Sequence, residues 1–171
     1  MIHIYHGDGK GKTTAAMGLA LRALGHGWRV CAVQFLKDGA SGEARMLASL
    51  PGVTVIACPT GGKFTFQMTA EELAAARERQ EEALARARGL VEAGACDLLV
   101  LDEVLDAVNT GTLAEASLMD TVRACGEHAE LVLTGRGPSP DLVDLADYVT
   151  EMRCEKHPYQ QGIVAREGVE W

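Results

Sequence analysis

Gly7-Asp8-Gly9-Lys10-Gly11-Lys12-Thr13-Thr14 is the stretch that decides how the rest of the chain is read. It follows an apolar run, Ile2 to Tyr5, and opens a segment, Ala15-Ala16-Met17-Gly18-Leu19-Ala20-Leu21-Arg22-Ala23-Leu24, with helical composition and spacing. Strand, glycine loop and helix in that order make an anion site. Closely spaced glycines let backbone N–H groups turn inward, and the helix adds its unpaired N-terminal donors and positive dipole end. Lys12 can sit over terminal phosphate oxygens as a point charge, with the Thr13 hydroxyl placed to ligate Mg²⁺. The match to G-x-x-x-x-G-K-[ST] is not strict. Counting five back from Gly11 reaches His6, so either the loop is one residue short or Gly7 takes over the outer turn. A glycine-rich turn that merely contains lysines is the bland alternative; the flanking strand and helix, with Lys-Thr in register, favour the phosphate loop.

At 171 residues the chain is read as one domain, 1–171, with no linker dividing it. Its 47% hydrophobic content suits a globular fold, yet no apolar run approaches the about 20 residues of a membrane span. The N-terminus reads as a strand and not as a signal peptide. The net charge of −8 argues against general nucleic-acid binding, which calls for a basic face, but not against one anionic nucleotide held by Lys10, Lys12, Lys37 and Arg136. Cys31, Cys58, Cys96, Cys125 and Cys154 lie far apart without ligand spacing and read as reduced, mostly core thiols of a cytoplasmic protein.

Arg29 to Phe35 reads as a second buried strand, and Gln34 and Lys37 just past it are candidates to face a ligand crevice; a solvated loop lysine fits Lys37 equally well. A short helix to about Ser49 and a strand over Val53 to Ala57 follow. In the loop after them, Phe64 and Phe66 fit either an edge strand tucked into the core or an aromatic wall for a large apolar ligand. Thr69 and Glu72 form a capping box opening a long helix to about Ala93, with Leu73, Ala76, Gln80, Leu84, Ala87 and Val91 on one face.

Asp97-Leu98-Leu99-Val100-Leu101-Asp102-Glu103 is the second strong motif, an apolar strand delivering two carboxylates at its carboxyl end. Beside a phosphate loop these acids point to the Mg²⁺ held by the loop threonine; capping of the next helix is the plainer alternative. Thr112 and Glu115 suggest another capping box for a helix to about Cys125. The strand Leu131 to Thr134 brings Arg136 to the phosphate edge, where it can take up charge on a polyphosphate. Pro140 to Ala146 reads as a short helix and Asp147 to Met152 as a strand. Gln161 to Ala165 with Gly168 to Trp171 suggests a small extra strand, and His157, before a proline, reads as structural. No G-x-S-x-G, H-E-x-x-H or Cys/His pair supplies a protein nucleophile.

With these motifs in order, the chain resembles the ATP:corrinoid adenosyltransferases almost end to end. The similarity rests on Gly7 to Ala16, Arg22-Ala23-Leu24-Gly25-His26-Gly27, Val33-Gln34-Phe35-Leu36-Lys37, Leu101-Asp102-Glu103, Leu133-Thr134-Gly135-Arg136, Ala146 to Met152 and Lys156-His157-Pro158-Tyr159. The resemblance implies a P-loop NTPase (RecA-like) α/β fold in three layers around a mostly parallel sheet, usually dimeric. It implies transfer of the 5′-deoxyadenosyl group of ATP to the Co(I) of a corrinoid (cobalamin, cobinamide or cobyrinic acid a,c-diamide), releasing triphosphate. The nucleotide lies in reverse sense across the modified loop in that family. Carried over by position, Gly7, Asp8, Gly9, Lys10, Gly11, Lys12, Thr13, Thr14 and Arg136 would hold the triphosphate, Thr13 and Glu103 would ligate Mg²⁺, and Arg22 would contact the nucleoside. Phe64 and Phe66 match the family's aromatic pair below the corrin ring. Asp8 stands where the family commonly has Asn, so ribose, Mg²⁺ or nothing is its expected contact. Longer members carry an N-terminal segment that helps cover the site, so enclosure of the corrinoid is the property this difference touches.

The implied chemistry agrees with the residues present. Co(I) is itself a strong nucleophile, so the protein has to align it with C5′ and stabilise the departing triphosphate, with Lys12 and Arg136 in the leading roles. Phe64 and Phe66 would exclude water and the lower axial ligand, easing reduction of Co(II) by an electron donor such as a reduced flavin or flavodoxin. An ordinary kinase or ATPase acting at the γ-phosphate, and a non-catalytic nucleotide-dependent corrinoid carrier, are the rival readings.

Overall fold

A computed structural model of the chain describes residues 1–169. Its strands are β1 (Ile2–His6), β2 (Val30–Gln34), β3 (Val53–Ala57), β4 (Leu98–Asp102), β5 (Glu130–Gly135) and β6 (Tyr148–Glu151). They form one sheet in the order β3-β2-β4-β5-β1-β6, and every neighbouring pair is parallel. Strands β2 and β4 are buried along their whole length, as is β5 beyond its first residue, which is why they read as unbroken apolar runs. Alternate residues serve opposite faces. Val30, Ala32, Leu98, Val100 and Val132 pack on one side, and Cys31, Val33, Leu99, Leu101, Leu131 and Leu133 on the other.

The helices are α1 (Lys12–Gly25), α2 (Gly42–Ala48), α3 (Ala70–Glu92), α4 (Val104–Asn109), α5 (Glu115–Cys125) and α6 (Pro140–Leu145). Ala16, Met17, Ala20 and Ala23 of α1 and Leu47 of α2 cover the first face; α3, α4 and α5 supply Leu84, Ala87, Val91, Val104, Leu118 and Val122 to the second. The result is the expected three-layer α/β fold. The strand that feeds the glycine loop and the strand that ends in carboxylates are separated by β5, the RecA-like arrangement. Helix α1 therefore crosses over β5 and β4 on its way to β2, and its first turn comes to rest on the acids at the end of β4.

Thr69 caps α3 as expected, its hydroxyl accepting from the Glu72 N–H at 3.2 Å while Glu72 returns a bond to the Thr69 N–H at 2.9 Å. The second expected box does not form. The N-cap of α5 is Ala114, whose N–H donates to Glu81 Oε1 at 3.0 Å, because the Thr112 hydroxyl is engaged by Gln80 Oε1 and the Ala107 carbonyl. Nor is there an edge strand at Phe64 and Phe66: Thr65–Gln67 is a 3-10 turn, too tightly wound for side chains to alternate between core and solvent. Past β6 the tail makes a 3-10 turn, Pro158–Gln161, which the His157 ring caps by accepting the Tyr159 N–H at 3.2 Å. No extra strand appears there among the described residues, and Glu170 and Trp171 of that expected strand lie outside them.

Candidate active site

The phosphate loop owes its shape to close backbone packing. Gly9 N–H donates to the Met152 carbonyl at 2.7 Å, and a Cβ on Gly9 or on Gly7 would come within 2.6 or 2.5 Å of that same oxygen. Gly7 also has φ +107°, which side chains rarely adopt. Of the two readings of the irregular spacing, the one in which Gly7 takes over the outer turn is the one this geometry supports. Lys12 reaches back across it, donating to the carbonyls of Gly7 at 2.6 Å and Gly9 at 2.9 Å. Burial lowers its pKa, and the nearby Arg136 charge adds to the effect.

Gly9 to Thr14 line a cavity of about 570 Å³ with Met17, Lys37, Glu43 and Glu103. Gly168 and Val169 close one side, where Lys10 donates to the Val169 carbonyl at 2.8 Å. No feature of the sequence near Val169 signalled this return of the tail to the loop.

The Thr13 hydroxyl donates to Asp102 Oδ1 at 2.8 Å, and Thr134 donates to the same oxygen at 2.8 Å. Asp102 is fully buried, and Lys37 Nζ meets its other oxygen at 2.7 Å. The sequence reading put Glu103 beside Thr13; the structure puts Asp102 in contact and leaves Glu103 on the cavity wall. Glu103 sits at φ +62°, its N–H held by Thr134 Oγ1 at 2.9 Å, and makes no side-chain cap for α4. Burial raises its pKa; Lys37 opposes that shift and Asp102 adds to it. For Lys37, burial works to lower the pKa, but the Asp102 and Glu103 charges outweigh it and the net shift is upward. Lys37 is thus no solvated loop residue. Gln34, in register with Asp102 on the next strand, is buried with neither amide atom paired and lines neither chamber.

Arg136 stands past β5 as expected, and its partners explain Asp8. Nε lies 3.3 Å from Asp8 Oδ1 and Nη1 3.3 Å from Asp106 Oδ1, so Asp8 meets an arginine where ribose, Mg²⁺ or nothing was expected. Helix α4, for which the sequence offers no bounds, anchors this loop: Asp106 also accepts the Arg136 N–H, and Asn109 donates to the Arg136 carbonyl at 2.7 Å. Arg22 is not brought to this site. It lies exposed in the last turn of α1, about 15 Å along the helix from Lys12.

A second cavity, about 550 Å³, adjoins the first and shares Lys37 and Glu43 with it. Leu36, Arg45, Thr60, Lys63 and Phe64 complete much of its wall. Phe64 and Phe66 stack almost parallel, ring centres 5.5 Å apart, at 68% and 82% exposure. Two phenylalanines paired in solvent are not a core feature; Phe64 lines the chamber and Phe66 stacks on it, making an apolar platform that extends outward from the wall. The cysteines stay out of the chemistry. Four are buried, Cys31 with its pKa pushed up to about 12 by burial, and the fifth, Cys154, is exposed and free.

The donor set fits Mg²⁺ that is partly held by phosphates. It offers one hydroxyl, one buried carboxylate that already draws a cation, and one carboxylate on the cavity wall. Among the described residues no group of three or more His, Cys, Asp or Glu makes an all-protein metal cage. Among the described residues no helix is long and apolar enough to cross a membrane.

The family model described as "ATP:corrinoid adenosyltransferase BtuR/CobO/CobP" matches residues 1–171. The chain is 33% identical over its whole length to the corrinoid adenosyltransferase of Escherichia coli (strain K12), covering 85% of that protein, and 33% identical, at the same coverage, to the one from Salmonella typhimurium. With the corrinoid adenosyltransferase of Pseudomonas aeruginosa the identity is 36% over 98% of this chain and 82% of the relative.

Proposed function

The chain belongs to the ATP:corrinoid adenosyltransferase family, and from that premise we propose how its residues divide the work of moving the adenosyl group of ATP to corrinoid cobalt. The observation that carries the division is the shared wall. A phosphate-binding chamber and an aromatic-rimmed chamber meet at Lys37 and Glu43, so two ligands bound in them face each other across one boundary.

The triphosphate lies along Gly7 to Thr14, with Lys12 turned from the loop carbonyls onto phosphate oxygens and Arg136 at the rim. Asp106 fixes the guanidinium, and Asp8 is its exchangeable partner. Thr13, Asp102 and Glu103 hold Mg²⁺, which supplies charge neutralisation at the leaving group. The corrinoid occupies the second chamber against Phe64 and Phe66. The Co(I) electron pair attacks C5′; the Co–C bond forms as the C5′–O bond breaks, and that electron pair departs on triphosphate. No proton moves to or from carbon, so the carboxylate of Glu43 at the wall is not called on as a general base. The chain's task is alignment and charge stabilisation.

The exposed phenylalanine platform supports a further role, displacing water and the lower axial ligand so that a reduced flavin or flavodoxin can deliver the electron. We take residues 1–171 as one domain and the working unit as a homodimer, for which the bare edge strand β6, with Tyr148 and Val149 exposed, is the supporting feature. Five unpaired thiols suit a reducing, cytoplasmic compartment. Anaerobic incubation with ATP, Mg²⁺ and chemically reduced cobalamin tests the arrangement: inorganic triphosphate and a light-sensitive product are expected. ADP in their place would mark attack at the γ-phosphate, and ligand binding without a Co–C bond would mark a carrier.

A further inference from the structure

The Lys37 ammonium sits where three oxygens converge: 2.7 Å from Asp102 Oδ2, 3.2 Å from Thr13 Oγ1 and 3.5 Å from Glu103 Oε1. These are the same groups to which Mg²⁺ is assigned above. A divalent ion contacts such oxygens at about 2.1 Å, so the ion and the ammonium would have to share one small volume, which their size and like charge forbid.

The backbone is bent to put the lysine there. Among the described residues only two non-glycine positions have positive φ, Leu36 at +57° and Glu103 at +62°, and they flank this point on two different strand ends. Each such conformation is unfavourable for a residue with a side chain and persists where the surroundings enforce it. At Leu36 the turn folds Lys37 back over the ends of β2 and β4.

We propose that Lys37 is the internal cation of the metal site, holding Asp102 and Glu103 together and exchanging with the divalent ion as the nucleotide enters. The proposal rests on the assignment of Mg²⁺ to Thr13, Asp102 and Glu103. Without the ammonium, a fully buried carboxylate would stand beside a second carboxylate with no positive charge in contact. With it, the pair stays in place, and a metal ion arriving alone has to displace a bonded lysine. An ion arriving with triphosphate brings extra oxygen ligands and an anionic destination for the ammonium. Because Lys37 lines both chambers, the released charge remains at their common wall, where the leaving group departs. Metal and nucleotide are thereby made to bind together.

Mn²⁺, followed by the electron spin resonance of the free ion, tests the exchange without nucleotide. Lys37→Met is expected to bind Mn²⁺ at least tenfold more tightly than the unaltered protein, or measurably where the unaltered protein shows no binding. Equal or weaker binding in Lys37→Met would overturn the exchange. Asp102→Asn in the Lys37→Met background separates the two levels: loss of Mn²⁺ binding upholds the metal site itself, and retention removes it. A measurement on the native sequence covers the case in which the variant folds poorly. After reductive ¹³C-methylation, which keeps the lysine charge, the Lys37 resonance should move with ATP and Mg²⁺ but not with ATP and chelator. A resonance indifferent to the metal would also sink the proposal.

Discussion

The two ends of the sheet both gather charge, and they do so in opposite ways. At the amino ends of the strands, Arg29 clasps Asp97 through Nε at 2.9 Å and Nη2 at 2.6 Å, and His3 meets Glu130 at 2.9 Å while stacking on Tyr148. None of these residues has positive φ, and the Arg29–Asp97 pair is well exposed. At the carboxyl ends of β2 and β4 Asp102 is buried and Glu103 half-buried, each oxygen of Asp102 is bonded, and two residues are held in left-handed conformations. Ion pairs that tie strands together need only reach each other. A site that must later exchange partners keeps its charges desolvated and its backbone bent.

Lys12→Ala should break the contrast most sharply. With no ammonium over the triphosphate, adenosylation should fall by roughly a thousandfold in an anaerobic assay, with the thermal midpoint little changed. Asp102→Ala comes next, because it removes the acceptor of the buried Thr134 hydroxyl and the nearer partner of the half-buried Lys37; unfolding in urea should show a loss of about 2 kcal/mol. The same truncation at Asp97, an exposed pair, should cost under about 1 kcal/mol, and equal losses would erase the distinction between the two ends. Phe66→Ala should leave ATP binding and stability intact yet slow turnover roughly tenfold when a weak reductant supplies the electron, and unchanged rates would remove the platform's role. The smallest effect is acid sensitivity. Hydrogen bonds from Arg29 hold the Asp97 pKa down to about 2, below its unfolded value of about 3.9. That stabilisation is present above pH about 4 and fades as pH falls through about 2. Asp97→Asn should therefore flatten the thermal midpoint's dependence on pH over that window alone.

Much of this contrast could be read from the chain, for reasons that differ by element. Strand β3 and helix α3 declare themselves through β-branched runs and a capping box with a long periodic face. The Thr112 and Glu115 box misled because a Thr-x-x-Glu spacing says nothing about a competing acceptor, and Gln80 is 32 residues away in sequence. Helix α4 has six residues, too few to show a period. Lys37 was legible as a candidate to face the crevice but not as the partner of Asp102, since only the pairing of β2 with β4 brings the two together. Asp8 was legible as a departure but not as the partner of Arg136, which arrives from the end of the neighbouring strand β5.

The common wall of the two chambers has a bearing on any attempt to redesign the protein. Glu43 and Lys37 belong to both rooms at once, so neither donor nor acceptor preference can be tuned there in isolation. A replacement that makes space for a bulkier nucleoside also redraws the seat of the macrocycle, and selection for either partner at these positions will be felt by the other.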